Sequence, residues 1–117
     1  NGKVLVAGGS DILDDLNTTE LYDPSTGIWT TTGSMNSVRQ AHTASVLTNG
    51  KVLVAGGAAA TLDNLNTAEL YDPSTGIWTT TGSMNIIRFY HTASVLTNGK
   101  VLVAGGSEAL DDLNTAE

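Results

Sequence analysis

Apolar residues along this chain fall in short runs, each closed within a few positions by glycine, asparagine or an Asp-Pro pair. The run Val52-Leu53-Val54-Ala55 is apolar on both sides of an extended backbone, which predicts a strand covered on both faces. Upstream, His42 to Thr48 predicts another strand, and the Asn49-Gly50 pair between the two is a two-residue hairpin signal. Downstream, Thr67 to Asp72 and Ile77 to Gly82 predict a third and a fourth. Asp72 to Gly76 between them predicts a tight turn, because proline presets φ and glycine accepts positive values. Threonine fills the fourth strand, where an exposed outer edge would lie. No segment carries a useful length of helical period, so the pattern predicts short antiparallel strands.

That pattern repeats. Asn-Gly-Lys-Val-Leu-Val-Ala-Gly-Gly begins at Asn1, Asn49 and Asn98, so residues 1–48 and 49–97 are full units and residues 98–117 a partial third. The first unit holds strands two to four of one repeat and strand one of the next. Residues 1–20 and 98–117 differ only at Asp11/Glu108, Ile12/Ala109 and Thr19/Ala116. The chain thus begins and ends at corresponding points, and is expected to be a window on a longer array.

Four antiparallel strands in a unit of this length are the signature of a β-propeller blade. The glycine pairs Gly8-Gly9, Gly56-Gly57 and Gly105-Gly106 close strand two. Tyr22 and Tyr71 precede Asp-Pro, and Trp29 and Trp78 follow six residues after that aspartate. With Arg88 and His91 ahead of strand one, these features resemble the Kelch repeat, in register along essentially the whole chain. The resemblance implies an all-β fold, a Kelch-type β-propeller of about 2.4 four-stranded antiparallel blades belonging to a longer array. It also implies that these glycines, tyrosines and tryptophans are structural, the glycines allowing close packing and the aromatics filling space within and between blades.

Composition narrows the function. A formal net charge of −7 argues against nucleic acid, which needs a basic stripe, and against anionic membranes. No apolar run approaches the roughly 18 residues of a spanning helix, so membrane insertion is not expected. The absence of cysteine excludes disulfides and thiolate chemistry. Abundant threonine and serine with scarce lysine lean towards an extracellular or cell-surface setting.

The two full units differ mainly in two places. One is the loop after the double glycine, Ser10 to Asn17 against Ala58 to Asn66. The other is the crossover before strand one: Ser37, Val38, Arg39 and Gln40 against Ile86, Ile87, Arg88, Phe89 and Tyr90. In an up-and-down blade the two-to-three loop and the crossover share a face, opposite the unchanged Asn-Gly-Lys and Asp-Pro-Ser-Thr-Gly turns. The variable face is where a protein or glycan partner is expected. Relaxed constraint on surface loops would leave the same pattern.

The candidate chemistry is sparse. Asp11, Asp14 and Asp15, with Glu108, Asp111 and Asp112 in the third unit, offer oxygen ligands for Ca²⁺, against a plain solvated acidic loop. The middle unit keeps only Asp63 with Asn64. His42 and His91 recur at the start of strand one, which suggests a structural hydrogen bond rather than catalysis. Arg39 and Arg88 either tie neighbouring blades by pairing with Glu20 or Glu69, or recognise an anion. Phe89 and Tyr90 either stack on a sugar or a partner's apolar patch, or pack on the next blade. Asn17-Thr18-Thr19 is a glycosylation sequon. The glycine pairs lack the spacing and lysine of a phosphate loop, and no cofactor is expected. No nucleophile, base and oxyanion donor combine. The leading expectation is therefore a non-enzymatic interaction or structural scaffold, either in a fibre or repeat assembly of further blades or identical chains, or as a closed propeller. The rival is the propeller part of a carbohydrate-active or galactose-oxidase-like enzyme whose catalytic residues lie elsewhere.

Overall fold

The strands form where the apolar runs place them. In a computed structural model that describes residues 1–60 and 65–117, β1 (Val4–Ala7), β2 (Thr19–Asp23) and β3 (Ile28–Thr31) form a three-stranded sheet. A four-stranded sheet follows, ordered β4 (Thr43–Val46), β5 (Val52–Ala55), β6 (Ala68–Asp72) and β7 (Ile77–Thr80). β8 (Thr92–Val95) pairs with β9 (Val101–Ala104). All neighbours are antiparallel, and these three sheets follow one another along the chain as the expected blades do. No helix occurs among the described residues, so none is long and apolar enough to cross a membrane.

Two details depart from the predicted strands. The loop after the third glycine pair is itself a small hairpin, β10 (Ser107–Glu108) against β11 (Asp111–Asp112). The matching loop of the first blade closes through a single Ser10–Asp15 bridge. Paired stretches of one or two polar residues carry no apolar alternation to announce them. In the third blade Ala104 pairs with Ala116, and Val103 and Glu117 exchange two backbone hydrogen bonds.

The turns explain the registers. Asn49 Oδ1 accepts from the Lys51 amide at 3.1 Å, and Gly50 adopts φ 81°, which a side chain would disfavour. Asp72 accepts from the amide and hydroxyl of Ser74 at 2.9 and 2.6 Å, the reason aspartate opens this turn. Those Ser74 bonds, helped by Lys51, hold its carboxyl at about 2.

The core lies between blades. Met35, from the end of the first blade, is buried with Val54, Tyr71 and Trp78 of the second, and Leu5, Ala7 and Val52 pack around them. The Tyr71 and Trp78 rings lie 5.1 Å apart, and both reach back to the first blade. Trp78 Nε1 donates to the Gly33 carbonyl at 2.9 Å, and the Tyr71 hydroxyl bonds the Thr32 hydroxyl at 2.9 Å. Gly33 has no room for a side chain, since a Cβ there would meet the Gly76 carbonyl oxygen at 2.2 Å.

Trp29 sits in the same local sequence and the same strand register as Trp78, yet it is 50% exposed where Trp78 is 6% exposed. Tryptophan truncation in a packed site costs about 3–5 kcal/mol. Trp78→Ala is therefore expected to lower unfolding stability by about that amount in urea titration, and Trp29→Ala by about half or less. Equal losses would contradict an inter-blade core.

Candidate functional site

Side-chain contacts sort the connections onto two faces. Lys3 pairs with Asp23 at 3.4 Å and Lys51 with Asp72 at 3.1 Å, joining each Asn-Gly-Lys turn to the Asp-Pro turn of its blade. The variable segments meet on the opposite face. Gln40 and Ala58 exchange two backbone hydrogen bonds of 2.9 Å, and Ser10 Oγ approaches Gln40 Oε1 at 3.3 Å. The Ala60 amide donates to the Asp15 carboxylate of the preceding blade. Phe89 bridges to Ser107 in the same manner as Gln40 to Ala58.

Beneath this face lies the tie between blades. The Arg39 backbone belongs to the first blade's side: its amide donates to Leu16 and its carbonyl accepts from Gly9 at 2.9 Å. Its side chain belongs to the second. Nη1 donates to the Gly56 carbonyl at 2.7 Å and the Thr67 carbonyl at 3.2 Å, and Nη2 to Glu69 at 2.9 Å. Glu69 accepts further from the Asn36 amide and side chain and from the Ser37 amide, at 2.7, 2.9 and 3.0 Å. Burial is the largest influence on the Glu69 carboxyl and acts to raise its pKa. The hydrogen bonds from Asn36, Arg39 and Ser37 outweigh it and hold the group below the ordinary glutamate value.

The second junction repeats the first. Arg88 donates to Gly105, Thr115 and Glu117, while Glu117 accepts from Asn85 and Ile86. Burial again acts to raise the Glu117 carboxyl, and the bonds from Asn85 and Ile86 and from Arg88 pull it below its usual value. His91 Nε2 meets the Thr43 hydroxyl of the preceding blade at 2.8 Å. Burial, and then the Arg88 charge, lowers the His91 pKa; burial and Arg39 do the same to His42. Gly56 is required at this junction, because a Cβ would sit 2.4 Å from the Arg88 carbonyl oxygen.

Arg39 and Arg88 tie neighbouring blades, the first of the two roles the sequence offered them, and both are fully buried, so neither is open to an anion or a partner. Asn17 has a structural role whether or not it carries a glycan: its Nδ2 donates to the Met35 carbonyl at 3.1 Å, as Asn66, which has no sequon, does to Met84. Among the described residues no three acidic or histidine side chains converge, and several of the loop carboxylates have partners of their own. Asp11 instead caps its own turn by accepting from Leu13 and Asp14, Asp15 holds Ala60, and Asp112 accepts from Ser107. Asp14 and Asp111 complete the same small loops. Asp63 and Asn64 lie outside the described residues.

Beside its acidic loops, the variable face leaves apolar groups open. Ser37, Gln40, Ile86, Ile87 and Phe89 are half-buried, Val38 is exposed, and Tyr90 is 75% exposed with its ring edge-on to Phe89. The sequence reading missed Ile12, Leu13 and Leu110, which stand exposed at the loop tips. A large aliphatic residue between acids in a loop is the signal that would have found them.

The tie is expected to respond to pH and to truncation. Removing one member of a buried pair costs about 3–5 kcal/mol, so Arg39→Ala should destabilise by that order. Glu69 is more acidic when folded. Its contribution is therefore complete above the ordinary value of about 4.3 and is lost as pH falls through the lower folded value. The histidines favour their neutral form when folded, so their part begins to fade below about 6.5. Melting temperature measured against pH should fall in these two stages, with the lower stage flattened in Glu69→Gln.

The family model for the Kelch motif matches residues 1–36 and 41–85. No curated protein matches the chain. With the blades, the glycine pairs and the inter-blade aromatics in place, the chain belongs to the Kelch-repeat family.

Proposed function

We propose that this chain is a non-enzymatic scaffold that binds a protein partner on its variable-loop face. Kelch repeats generally mediate protein–protein interaction or scaffolding. The observation that carries the finer reading is the set of apolar side chains standing clear of the loops: Ile12, Leu13, Val38, Tyr90 and Leu110. Apolar side chains left open on one face offer a partner anchor points. The rim here is acidic, with Asp11, Asp14, Glu108 and Asp111 beside them. A partner surface that pairs apolar anchors with lysine or arginine complements it.

Supporting a non-enzymatic role, the groups best suited to catalysis are engaged in structure. His91 is buried against Thr43, and both arginines tie blades together. The threonine-rich, lysine-poor composition favours placing the scaffold in an extracellular or cell-surface repeat assembly.

A photo-crosslinking side chain at position 90, compared with one at position 26 on the turn face, tests this in extracts and secretions of the producing cells. Protein adducts are expected from position 90 alone, falling about tenfold with Ile12→Ser plus Leu110→Ser, and falling with added salt. Equal labelling from both faces would overturn the reading.

A further inference from the structure

The crossover into strand one bends at the same point in both units. Ala41 has φ 53° and Tyr90 φ 55°, in the left-handed region that glycine enters freely and bulky side chains rarely do. Contacts on either side impose the bend. Before it, Gln40 and Phe89 pair through their backbones with Ala58 and Ser107. After it, His91 is buried, with Nε2 2.8 Å from the Thr43 hydroxyl. The second glycine of each pair lies against the bend. A Cβ at Gly106 would come within 2.6 Å of the Phe89 carbonyl oxygen, and one at Gly57 within 2.6 Å of the Gln40 carbonyl oxygen. The Tyr90 amide also donates to the Ala41 carbonyl at 3.0 Å, linking one bend to the next.

These contacts belong to backbone atoms or to neighbouring residues, so none of them calls for a side chain at position 90. Glycine would satisfy them without strain. A tyrosine stands there instead, 75% exposed, with its ring edge-on to Phe89 at 5.6 Å. The first unit has Gln40 and Ala41 at the matching positions, so the aromatic pair distinguishes one crossover from the other. Backbone strain without a benefit to the fold marks residues that serve a function. Tyrosine is also among the side chains that most often carry binding energy at protein interfaces.

We infer that Tyr90, backed by Phe89, is the specificity-determining residue of the variable face. The inference rests on the reading of that face as a protein-binding surface. The flanking pairs with Ser107 and Thr43 fix where the ring stands before any partner arrives, which lowers the ordering cost of binding. The strain at the bend is then borne by the fold in exchange for an aromatic group held in the open.

The test separates strain from recognition. A photo-crosslinking side chain at position 108, next to the Ser107 that pairs with Phe89, is compared with one at position 26 in extracts and secretions of the producing cells. Protein adducts from position 108 are expected to fall about tenfold in both Tyr90→Ala and Tyr90→Gly, and to persist in Ala41→Gly. In thermal unfolding, Tyr90→Gly should melt about 4 °C above Tyr90→Ala, because both lack the ring and only alanine keeps the strain. The loss of adducts in the more stable variant cannot then be ascribed to unfolding. Undiminished adducts in Tyr90→Gly would overturn the inference and leave the face a binding surface. Tyr90→Gly melting at or below Tyr90→Ala would overturn it as well. Equal labelling from positions 108 and 26 would overturn the reading of the face, and the inference with it.

Discussion

The structure turns on a buried carboxylate that gathers the crossover between blades. Glu69 lies on the third strand of the second blade, yet what it binds is the end of the first: Asn36, Ser37 and Arg39. An unpaired charge in that position would be strongly unfavourable, so the pair forms only when both blades are in place. This makes blade-to-blade geometry specific in a way that the apolar contacts of Met35 and Trp78 alone would not.

The arrangement also separates stability from recognition. Arginine lies beneath the variable loops and holds them from within, while the residues that differ between units stand above it. Ser37, Val38 and Gln40 can become Ile86, Ile87 and Phe89 without touching Asn36, Arg39 or their counterparts. A rigid scaffold with replaceable loops is what binding surfaces on repeat proteins require. The side chains of Tyr90, Ile12 and Leu110 are then free to be apolar, because they stand largely in solvent.

Much of the fold was legible in the chain. The doubled glycines, the Asn-Gly and Asp-Pro turns and the both-sided apolar run of Val52 to Ala55 mark strands that the structure contains, because each is a local constraint on φ or on burial. The polar end of the junction was less legible. Asn17 reads locally as a sequon, and only the approach of the Met35 carbonyl shows what its amide nitrogen does. The acidic loops likewise read as ligand sets, and only the structure shows Asp11 capping its own turn and Asp15 reaching the Ala60 amide beside the next blade.

What the sequence by itself determined is the repeated unit: four strand segments, their turns and their order, all set by short-range periodicity and backbone preference. It could not decide the environment of any one copy. Val-Leu-Val-Ala occurs three times, and only in β5 are the Val54 and Ala55 positions both buried. Trp29 and Trp78 share their neighbours in sequence and differ in whether another blade covers them. Burial, the neutral histidines and the arginine–glutamate tie all come from the placement of one unit against the next. That is a long-range property, and identical local sequences cannot encode it separately for each copy.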